Sequence, residues 1–292
     1  MTGPTTPAGL AWLLEDAEGA AWWQALPRVL DACARRWSLR IDAPYEGATV
    51  SYVAPATTAA GDHVVVKIQF PHRECRREAD ALRVWNGHGA VRLLDHAPRW
   101  HALLLERCEP GTSLADAPDV DVDALLLRLL PALLVPTQEP FTPIQSERTV
   151  WTDELTRGRA ALPAPGGALV PLAIDTLDEL AATQRHPVLV NQDLHRGNVL
   201  RTGPRAWAVI DPKPLLADPE LALANRLPMF GVGEFAEGAE AVGERLDRLS
   251  GGLGLHSGRA RAWAFVRSLM WALDDGPDRD TFIAVAQGLA SS

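Results

Sequence analysis

Residues 188–214, VLVNQDLHRGNVLRTGPRAWAVIDPKP, place two acids, three amides and a histidine between short apolar runs. The alternation predicts a strand at 188–190, a polar loop at 191–198, and a hairpin of 198–201 against 206–210. In that hairpin Asn198 lies opposite Ile210, so Asp211 emerges beside Asn198 at the open end. Asp193 hangs from the same end and is free to accept a proton.

An amide oxygen and a carboxylate at one hairpin mouth predict a metal site. Hard oxygen ligands in small number suit Mg²⁺ better than zinc, because Mg²⁺ keeps room for water or phosphate. Asn198 and Asp211 are therefore the candidate metal ligands. His195 is expected to order the loop by hydrogen bonding rather than to act as a base, and a D-x-H metal site is disfavoured.

The segment from 41 to 107 reads as strands with one helix between them. GDHVVVKIQF, residues 61–70, alternates, and it places Lys67 on the more polar face. A helical wheel of 74–85 puts Glu78 inside an apolar stripe with Cys75, Leu82 and Trp85. A glutamate that faces inward is costly without a cation, and Lys67 is the nearest lysine in sequence.

The rest of the chain is predominantly helical. Residues 10–40 are predicted to be helical, and further helices are predicted at 121–135, 150–161, 171–184 and 258–275. The Pro/Gly-rich stretch LPAPGGALVP, residues 162–171, is expected to separate two of them. We therefore predict an α+β fold of two lobes, β-rich 1–107 and mainly helical 108–292, with the active site in a cleft between them.

Composition narrows the functional classes. The net charge of -9 argues against nucleic-acid binding and is compatible with a cationic ligand. The 3 cysteines form no CxxC pair, which favours a reducing compartment. No signal peptide and no uninterrupted apolar run of about 18 residues is evident. A soluble, cytoplasmic protein without membrane association is expected, and it is expected to be a monomer.

Six segments, in this order along the chain, resemble the protein-kinase-like antibiotic kinases, and in particular the streptomycin kinases grouped as aminoglycoside/hydroxyurea resistance kinases. They are YEGATVSYVAPA, VVVKI, READALRVW, LLLERCEPGTSL, the pair NQDLHRGNVLR and AVIDPKPLLADPE, and LMWALDDG. The family pattern is H-G-D-L-H-x-x-N followed by I-D-P-K. This chain has Asn191-Gln192 in place of His-Gly.

The resemblance implies a role for each matching residue. Asp193 would orient the acceptor hydroxyl and accept its proton, and Asn198 and Asp211 would hold Mg²⁺ that bridges the ATP phosphates. Lys67 would contact the α- and β-phosphates, with Glu78 fixing its position. The remaining nucleotide contacts would come from a phosphate loop and a hinge whose backbone meets the adenine edge, formed by Gly47, Thr49, Ser51, Glu106 and Cys108.

The C-terminal segment VRSLMWALDDG offers an acceptor site. Asp274 and Asp275 are predicted to end a helix, where acids oppose the macrodipole at a cost of roughly 0.3–1 kcal/mol each. The resemblance suggests that cationic groups of an aminoglycoside offset this cost, with Trp271 as a wall. A simply solvated helix end is the alternative, and most of the 10 tryptophans are expected in the core.

Together these patterns predict an ATP- and Mg²⁺-dependent O-phosphotransferase. The preferred acceptor is a hydroxyl of a streptomycin-like aminoglycoside. A kinase of a sugar, amino alcohol or other metabolite, or of hydroxyurea, is the second possibility. A catalytically silent nucleotide-binding protein is the third, and the choice between ATP and GTP stays open.

Overall fold

The structure is a computed structural model that describes residues 7–138, 140–204, 206–231 and 238–291. The chain divides into two compact units, Met1–Gly111 and Thr112–Ser292, whereas the sequence pattern placed the boundary after residue 107. Gly111 has φ +74, and a Cβ there would lie 2.8 Å from the Cys108 carbonyl oxygen. Glycine is therefore the residue that this junction accommodates without strain.

The first unit is an antiparallel sheet with two α-helices, as the alternating pattern predicted. Its sheet order is β1-β2-β3-β5-β4. A 3-10 helix, Ala8–Glu15, precedes the sheet, and another, Glu74–Arg77, leads into α2. The main elements are α1 (Ala17–Trp37), β1 (Leu39–Ile41), β2 (Ser51–Thr58), β3 (His63–Gln69), α2 (Glu78–Trp85), β4 (Leu93–Ala97) and β5 (Ala102–Glu106).

α1 covers one face of this sheet. Asp16 caps it by accepting the backbone N–H groups of Glu18 and Gly19, which satisfies two of the donors that a helix start leaves open. Leu26 and Cys33 of α1 are buried in the same core cluster as the β3 side chains that alternate inward. The period of two in β3 and the helical spacing in α1 thus meet in one core.

In its described residues the second unit is mainly helical and carries two antiparallel pairs of short strands, β6 with β9 and β7 with β8, of which the second is a hairpin. Its main elements in chain order are α3 (Val122–Leu133), α4 (Ile144–Gly158), α5 (Gly166–Ala182), β6 (Val188–Asn191), β7 (Val199–Arg201), β8 (Trp207–Val209), β9 (Pro214–Ala217), α6 (Arg226–Phe230), α7 (Ala239–Leu253), α8 (Ser257–Trp271) and α9 (Arg279–Ala290). No helix in the described part of the chain is long and apolar enough to cross a membrane.

Several predicted helix bounds were wrong. α4 begins at Ile144 rather than 150, and α8 ends at Trp271 rather than 275. α5 begins at Gly166, inside the predicted linker, and it contains Pro171. Proline removes the hydrogen bond to the carbonyl four residues earlier. Here that carbonyl, of Gly167, accepts the Arg159 Nε–H at 3.1 Å instead, so the helix tolerates the proline.

The β4 strand is tied to α1 by Asp95. Its Oδ2 accepts the Trp37 indole N–H at 2.7 Å and an Arg36 N–H at 3.0 Å. The pKa of Asp95 lies below its ordinary value of 3.8. Partial burial on its own would raise this pKa, but hydrogen bonds from Trp37, the His96 N–H and Arg36 outweigh the effect of burial. A carboxyl group with a lowered pKa stabilises the fold above its unfolded pKa and loses that contribution as the pH falls.

We expect Asp95→Asn to lower Tm at pH 7, because an amide accepts these hydrogen bonds more weakly than a carboxylate. The Tm difference from the wild type should shrink as the pH falls from 5 towards 3, where the wild-type carboxylate becomes protonated. Thermal unfolding across this pH range measures both effects. Asp42→Asn, at an exposed pair with Arg40, is the control. A pH-independent difference would contradict the assignment.

Candidate active site

The predicted hairpin is present, and it brings the metal-ligand candidates to one end. Val199 pairs with Val209, and the Ile210 N–H donates to the Asn198 carbonyl oxygen at 2.9 Å. Asp211 follows directly, with a left-handed backbone at φ 50. This conformation is unusual for a residue other than glycine, although Asp is one of the residues that adopts it most readily. The backbone therefore turns sharply at the candidate ligand.

Asn198 has its amide oriented by the loop itself. Its Nδ2 donates to the Asp193 carbonyl oxygen at 3.2 Å, which directs Oδ1 away from that bond. An amide oxygen and the Asp211 carboxylate form a small set of hard oxygen donors, as Mg²⁺ requires. The described residues contain no group of three or more His, Cys, Asp or Glu side chains suited to a metal. The donor set thus fits an ion that takes its other ligands from phosphate and water.

Asp193 is one third exposed and lies within a cationic environment. Its Oδ2 is 3.2 Å from Lys213 Nζ, and its Oδ1 is 3.9 Å from His195 Nε2. The lysine comes from the IDPK segment, so the two halves of the motif meet at the acid. The Asp193 carboxylate is therefore accessible to a ligand while the Lys213 ammonium group holds it in position.

His195 has the loop-ordering geometry that the sequence predicted. Its Nδ1 accepts the Gly197 N–H at 3.1 Å. Burial lowers the pKa of His195 below its ordinary value of 6.5, and the nearby Asp193 carboxylate opposes this shift only in part. The neutral ring is therefore favoured near pH 7, and a neutral Nδ1 is able to accept the backbone bond.

The Asn191 side chain holds the catalytic loop, as we call the predicted loop 191–198, in place. The sequence analysis did not predict this role. Its Oδ1 accepts the Asp193 N–H at 3.0 Å and the Lys213 N–H at 2.9 Å. Asn191 itself is buried, and among the described residues its Nδ2 has no hydrogen-bond partner. The departure from His-Gly thus supplies a side-chain acceptor that holds both halves of the motif. The signal was present in the substitution itself, since a buried amide beside a catalytic loop needs partners.

Asn225 and Arg267 support the same loop from outside the motif. Asn225 Nδ2 donates to the Asn191 carbonyl oxygen at 3.0 Å, and Arg267 Nη2 donates to the Gln192 carbonyl oxygen at 3.0 Å. The Arg267 guanidinium also lies over two indole rings, 5.1 Å and 5.2 Å from their centroids. Neither residue stands in a recognisable pattern, so their roles could not be predicted from the sequence.

In the first unit, the predicted partner of the inward glutamate is confirmed. Lys67 Nζ donates to both Glu78 carboxylate oxygens, at 2.8 and 2.7 Å. Gln69 Nε2 also donates to Glu78 Oε2, at 2.6 Å. Lys67 is 4% exposed and Glu78 is 1% exposed, so breaking the pair would leave a buried charge without compensation.

The predicted phosphate loop lies between β1 and β2. Gly47 and Thr49 are exposed, whereas Ser51 is buried at the start of β2, opposite Gln69. A Cβ built on Gly47 would lie in open space, so the glycine leaves room for a group that approaches the backbone. Of the three predicted phosphate contacts, Gly47 and Thr49 are therefore accessible to a ligand and Ser51 is not.

The predicted hinge follows β5. The Glu106 N–H donates to the Arg92 carbonyl oxygen at 3.0 Å, so this N–H is already used within the protein. Burial, followed by the Glu106 carboxylate, raises the pKa of the Cys108 thiol to about 12. The thiol is therefore un-ionised at neutral pH and is no nucleophile.

The residues predicted to contact the substrate that accepts the phosphoryl group, Asp274, Asp275 and Trp271, have contacts within the protein. Arg279 pairs with Asp275 at 2.8 Å and donates to the carbonyl oxygens of Ala272 and Asp274, at 3.1 and 3.2 Å. This arginine supplies the positive charge that the sequence argument assigned to a ligand. Trp271 is buried with 9% exposure, so it offers little surface as a wall. Contact of these residues with an acceptor stays a prediction.

Sequence comparison places the chain in a family. The family model described as aminoglycoside/hydroxyurea antibiotic resistance kinase matches residues 36–276. The chain belongs to this family. It is therefore a phosphotransferase, as the six segments predicted.

Two relatives and one solved structure extend this result. Streptomycin 6-kinase of Streptomyces glaucescens is 34% identical over 268 residues, which cover 89% of this chain and 87% of the relative. Hydroxyurea phosphotransferase of Kitasatospora aureofaciens is 33% identical over 283 residues, covering 92% and 80%. A choline/ethanolamine kinase family protein from Mesorhizobium loti has a TM-score of 0.63 at 18% identity, covering 90% and 95%. This last likeness shows the protein-kinase-like fold.

We expect Asn191→Ala to destabilise the protein by about 1–3 kcal/mol, because two partly buried N–H groups lose their acceptor. The kcat should also fall, since Asp193 loses its backbone restraint. Denaturant unfolding and steady-state kinetics measure the two effects. Gln145→Ala removes an amide that bonds Ala181 and Gln184 near the surface, and it serves as the control. Equal effects of both variants would contradict a special role for Asn191.

Proposed function

We propose that the protein transfers the γ-phosphoryl group of ATP, with Mg²⁺, to a hydroxyl of a streptomycin-like aminoglycoside. The observation that carries this proposal is the joint placement of Asp193, Asn198 and Asp211 on one braced loop and hairpin. A binding module has no need for a proton acceptor beside two oxygen ligands. The family membership supports the same reading.

Asp193 is the proposed base. Its carboxylate would accept the proton of the acceptor hydroxyl as the hydroxyl oxygen forms its bond to the γ-phosphorus and the bond to the β-phosphate oxygen breaks. Lys213, at 3.2 Å, would hold the carboxylate in place. The backbone bond to Asn191 would limit its movement further, and such restraint raises the rate because positioning supplies much of catalysis in this chemistry.

Asn198 and Asp211 would hold Mg²⁺, which neutralises phosphate charge when bound. Lys67 would donate to the α- and β-phosphates, and the buried Glu78 would keep its ammonium directed. Gly47 and Thr49 would meet phosphate oxygens through the loop, with Ser51 as a support at its base. The backbone carbonyl of Glu106 and the N–H of Cys108 would bind the adenine edge.

The acceptor is proposed from the relatives. The relative at 34% identity is a streptomycin kinase, which supports an aminoglycoside. The relative at 33% identity is a hydroxyurea phosphotransferase, so hydroxyurea is the second candidate. Asp274, Asp275 and Trp271 stay proposed acceptor contacts, although Arg279 already neutralises part of this region.

A coupled ADP-release screen tests the proposal. We expect turnover with streptomycin, measured beside hydroxyurea, sugars and amino alcohols. Asp193→Asn keeps the shape of the side chain but cannot accept a proton, so kcat should fall by about 10²–10⁴-fold. Asp275→Asn, away from the catalytic loop, separates acceptor binding from chemistry. If only a sugar or an amino alcohol were phosphorylated, the proposal of an aminoglycoside as the acceptor would be wrong. Full activity of Asp193→Asn would refute the proposed mechanism.

Nucleotide binding is tested separately by thermal shift. Mg-ATP should raise the Tm of the wild type, because a ligand that binds only the folded state stabilises it. Lys67→Met should lose most of this shift, since the phosphates lose their cation, and Glu78 loses its partner. Asp193→Asn should keep the shift. A wild type that binds Mg-ATP but phosphorylates no acceptor would support the silent nucleotide-binding alternative.

A further inference from the structure

The N-terminal 3-10 helix Ala8–Glu15 contacts the phosphate loop directly. The indole N–H of Trp12 donates to the Thr49 carbonyl oxygen at 2.8 Å. At the other end of the same short helix, the Ala8 N–H donates to Glu46 Oε2 at 3.2 Å. Two hydrogen bonds thus hold the loop on both sides of Gly47, the only glycine in the segment 42–50.

The third contact, between Gly9 and Ala48, leaves no space for a side chain at position 9. A Cβ built on Gly9 would lie 2.4 Å from the Ala48 carbonyl oxygen, a distance that real Cβ atoms do not adopt. The backbone of the 3-10 helix therefore rests on the backbone of the loop. Any side chain at position 9 would push the two segments apart.

The 3-10 helix is itself anchored, so it is able to act as a fixed support. Leu10 and Leu13 are 0% and 1% exposed and belong to the core cluster of the first unit. Gly19 of α1 allows a similarly close approach, since a Cβ there would lie 2.0 Å from the Leu13 carbonyl oxygen. The apolar side of the helix is thus fixed in the core while its polar groups reach the loop.

Trp12 is 50% exposed, which is unusual for so large an apolar side chain. Its burial therefore contributes less to the stability of the fold than the burial of a core tryptophan would. Its indole N–H donates to a loop carbonyl oxygen rather than to a group in the core. The loop that contains Gly47 thus takes contacts from outside itself, from Trp12 and from the Ala8 N–H.

We propose that the 3-10 helix Ala8–Glu15 is a clamp that sets the shape of the phosphate loop, with Trp12 as a positioning residue for nucleotide binding. This inference rests on the proposed function of the 46–49 loop. The bond from Ala8 also restrains the Glu46 carboxylate, which would otherwise move freely beside a triphosphate and repel it. The clamp thus serves nucleotide affinity rather than the chemical step.

Trp12→Phe tests the clamp, because it keeps an aromatic ring and removes the N–H donor together with part of the indole. We expect the KM for ATP to rise by about 3- to 10-fold, the loss expected for one hydrogen bond, with kcat and the KM for the acceptor little changed. Backbone amide exchange in 46–50 should become faster in the absence of any nucleotide. Gly9→Ala should produce the same pattern by displacing the helix from the loop.

Trp37→Phe is the matched control. It removes an indole donor of the same kind, 2.7 Å from Asp95, in the same unit but on the α1–β4 contact. It should lower Tm while leaving the KM for ATP and the exchange of 46–50 unchanged. Trp12→His, which offers a ring N–H, should restore part of the affinity lost in Trp12→Phe.

The outcomes separate the clamp from the proposed function. Unchanged exchange of 46–50 in both Trp12→Phe and Gly9→Ala would overturn the clamp. Faster exchange with an unchanged KM for ATP would overturn the positioning role of Trp12. A wild type that neither binds nor consumes ATP would overturn the proposed function, and the exchange measurement would still report whether the clamp exists.

Discussion

Two backbone N–H groups from distant parts of the sequence converge on one buried amide oxygen, that of Asn191. One N–H belongs to Asp193 and the other to Lys213, so a single acceptor fixes the loop and the segment after the hairpin together. The Asn191 backbone is held in turn by Asn225. Because the Asn191 side chain is buried and both hydrogen bonds are partly buried, the loss of that oxygen would cost more than the loss of an ordinary surface hydrogen bond.

The two units hold their functional candidates in place with different interactions. In the first unit, a buried ion pair between Lys67 and Glu78 is completed by Gln69, so the carboxylate is satisfied although it is almost fully desolvated. In the second unit, neutral amides brace a catalytic loop whose own acid stays partly exposed. Charge is therefore buried where a ligand's phosphates are proposed to bind, and it is accessible where a proton is proposed to move.

Local patterns predicted much of the fold and part of the site. The hairpin pairing of Asn198 with Ile210 followed from alternation and turn residues, and the Lys67–Glu78 pair followed from a glutamate inside an apolar stripe. Both depend on short-range geometry or on a large electrostatic penalty. The roles of Asn225 and Arg267 could not be predicted, because these residues reach the loop through tertiary packing that leaves no period in the sequence.

One wrong helix bound has a clear physical cause. The start of α5 was placed too late because a proline and two glycines resemble a linker, while the carbonyl that Pro171 leaves open is satisfied by Arg159. The acids after α8 have a cation within the protein, because Arg279 pairs with Asp275 four residues earlier. Propensity describes a residue alone, whereas in both places an arginine side chain changes the balance.

The Arg267 guanidinium lies between Trp151 and Trp271 while it bonds the carbonyl of Gln192. Indole emission responds to nearby charge, so these two rings form a natural optical reporter of the loop that carries Asp193. A ligand that displaces Gln192 would alter the field at both rings at once. A change at the Gln192 carbonyl would therefore alter the surroundings of Trp151 and Trp271, two of the 10 tryptophans in the chain.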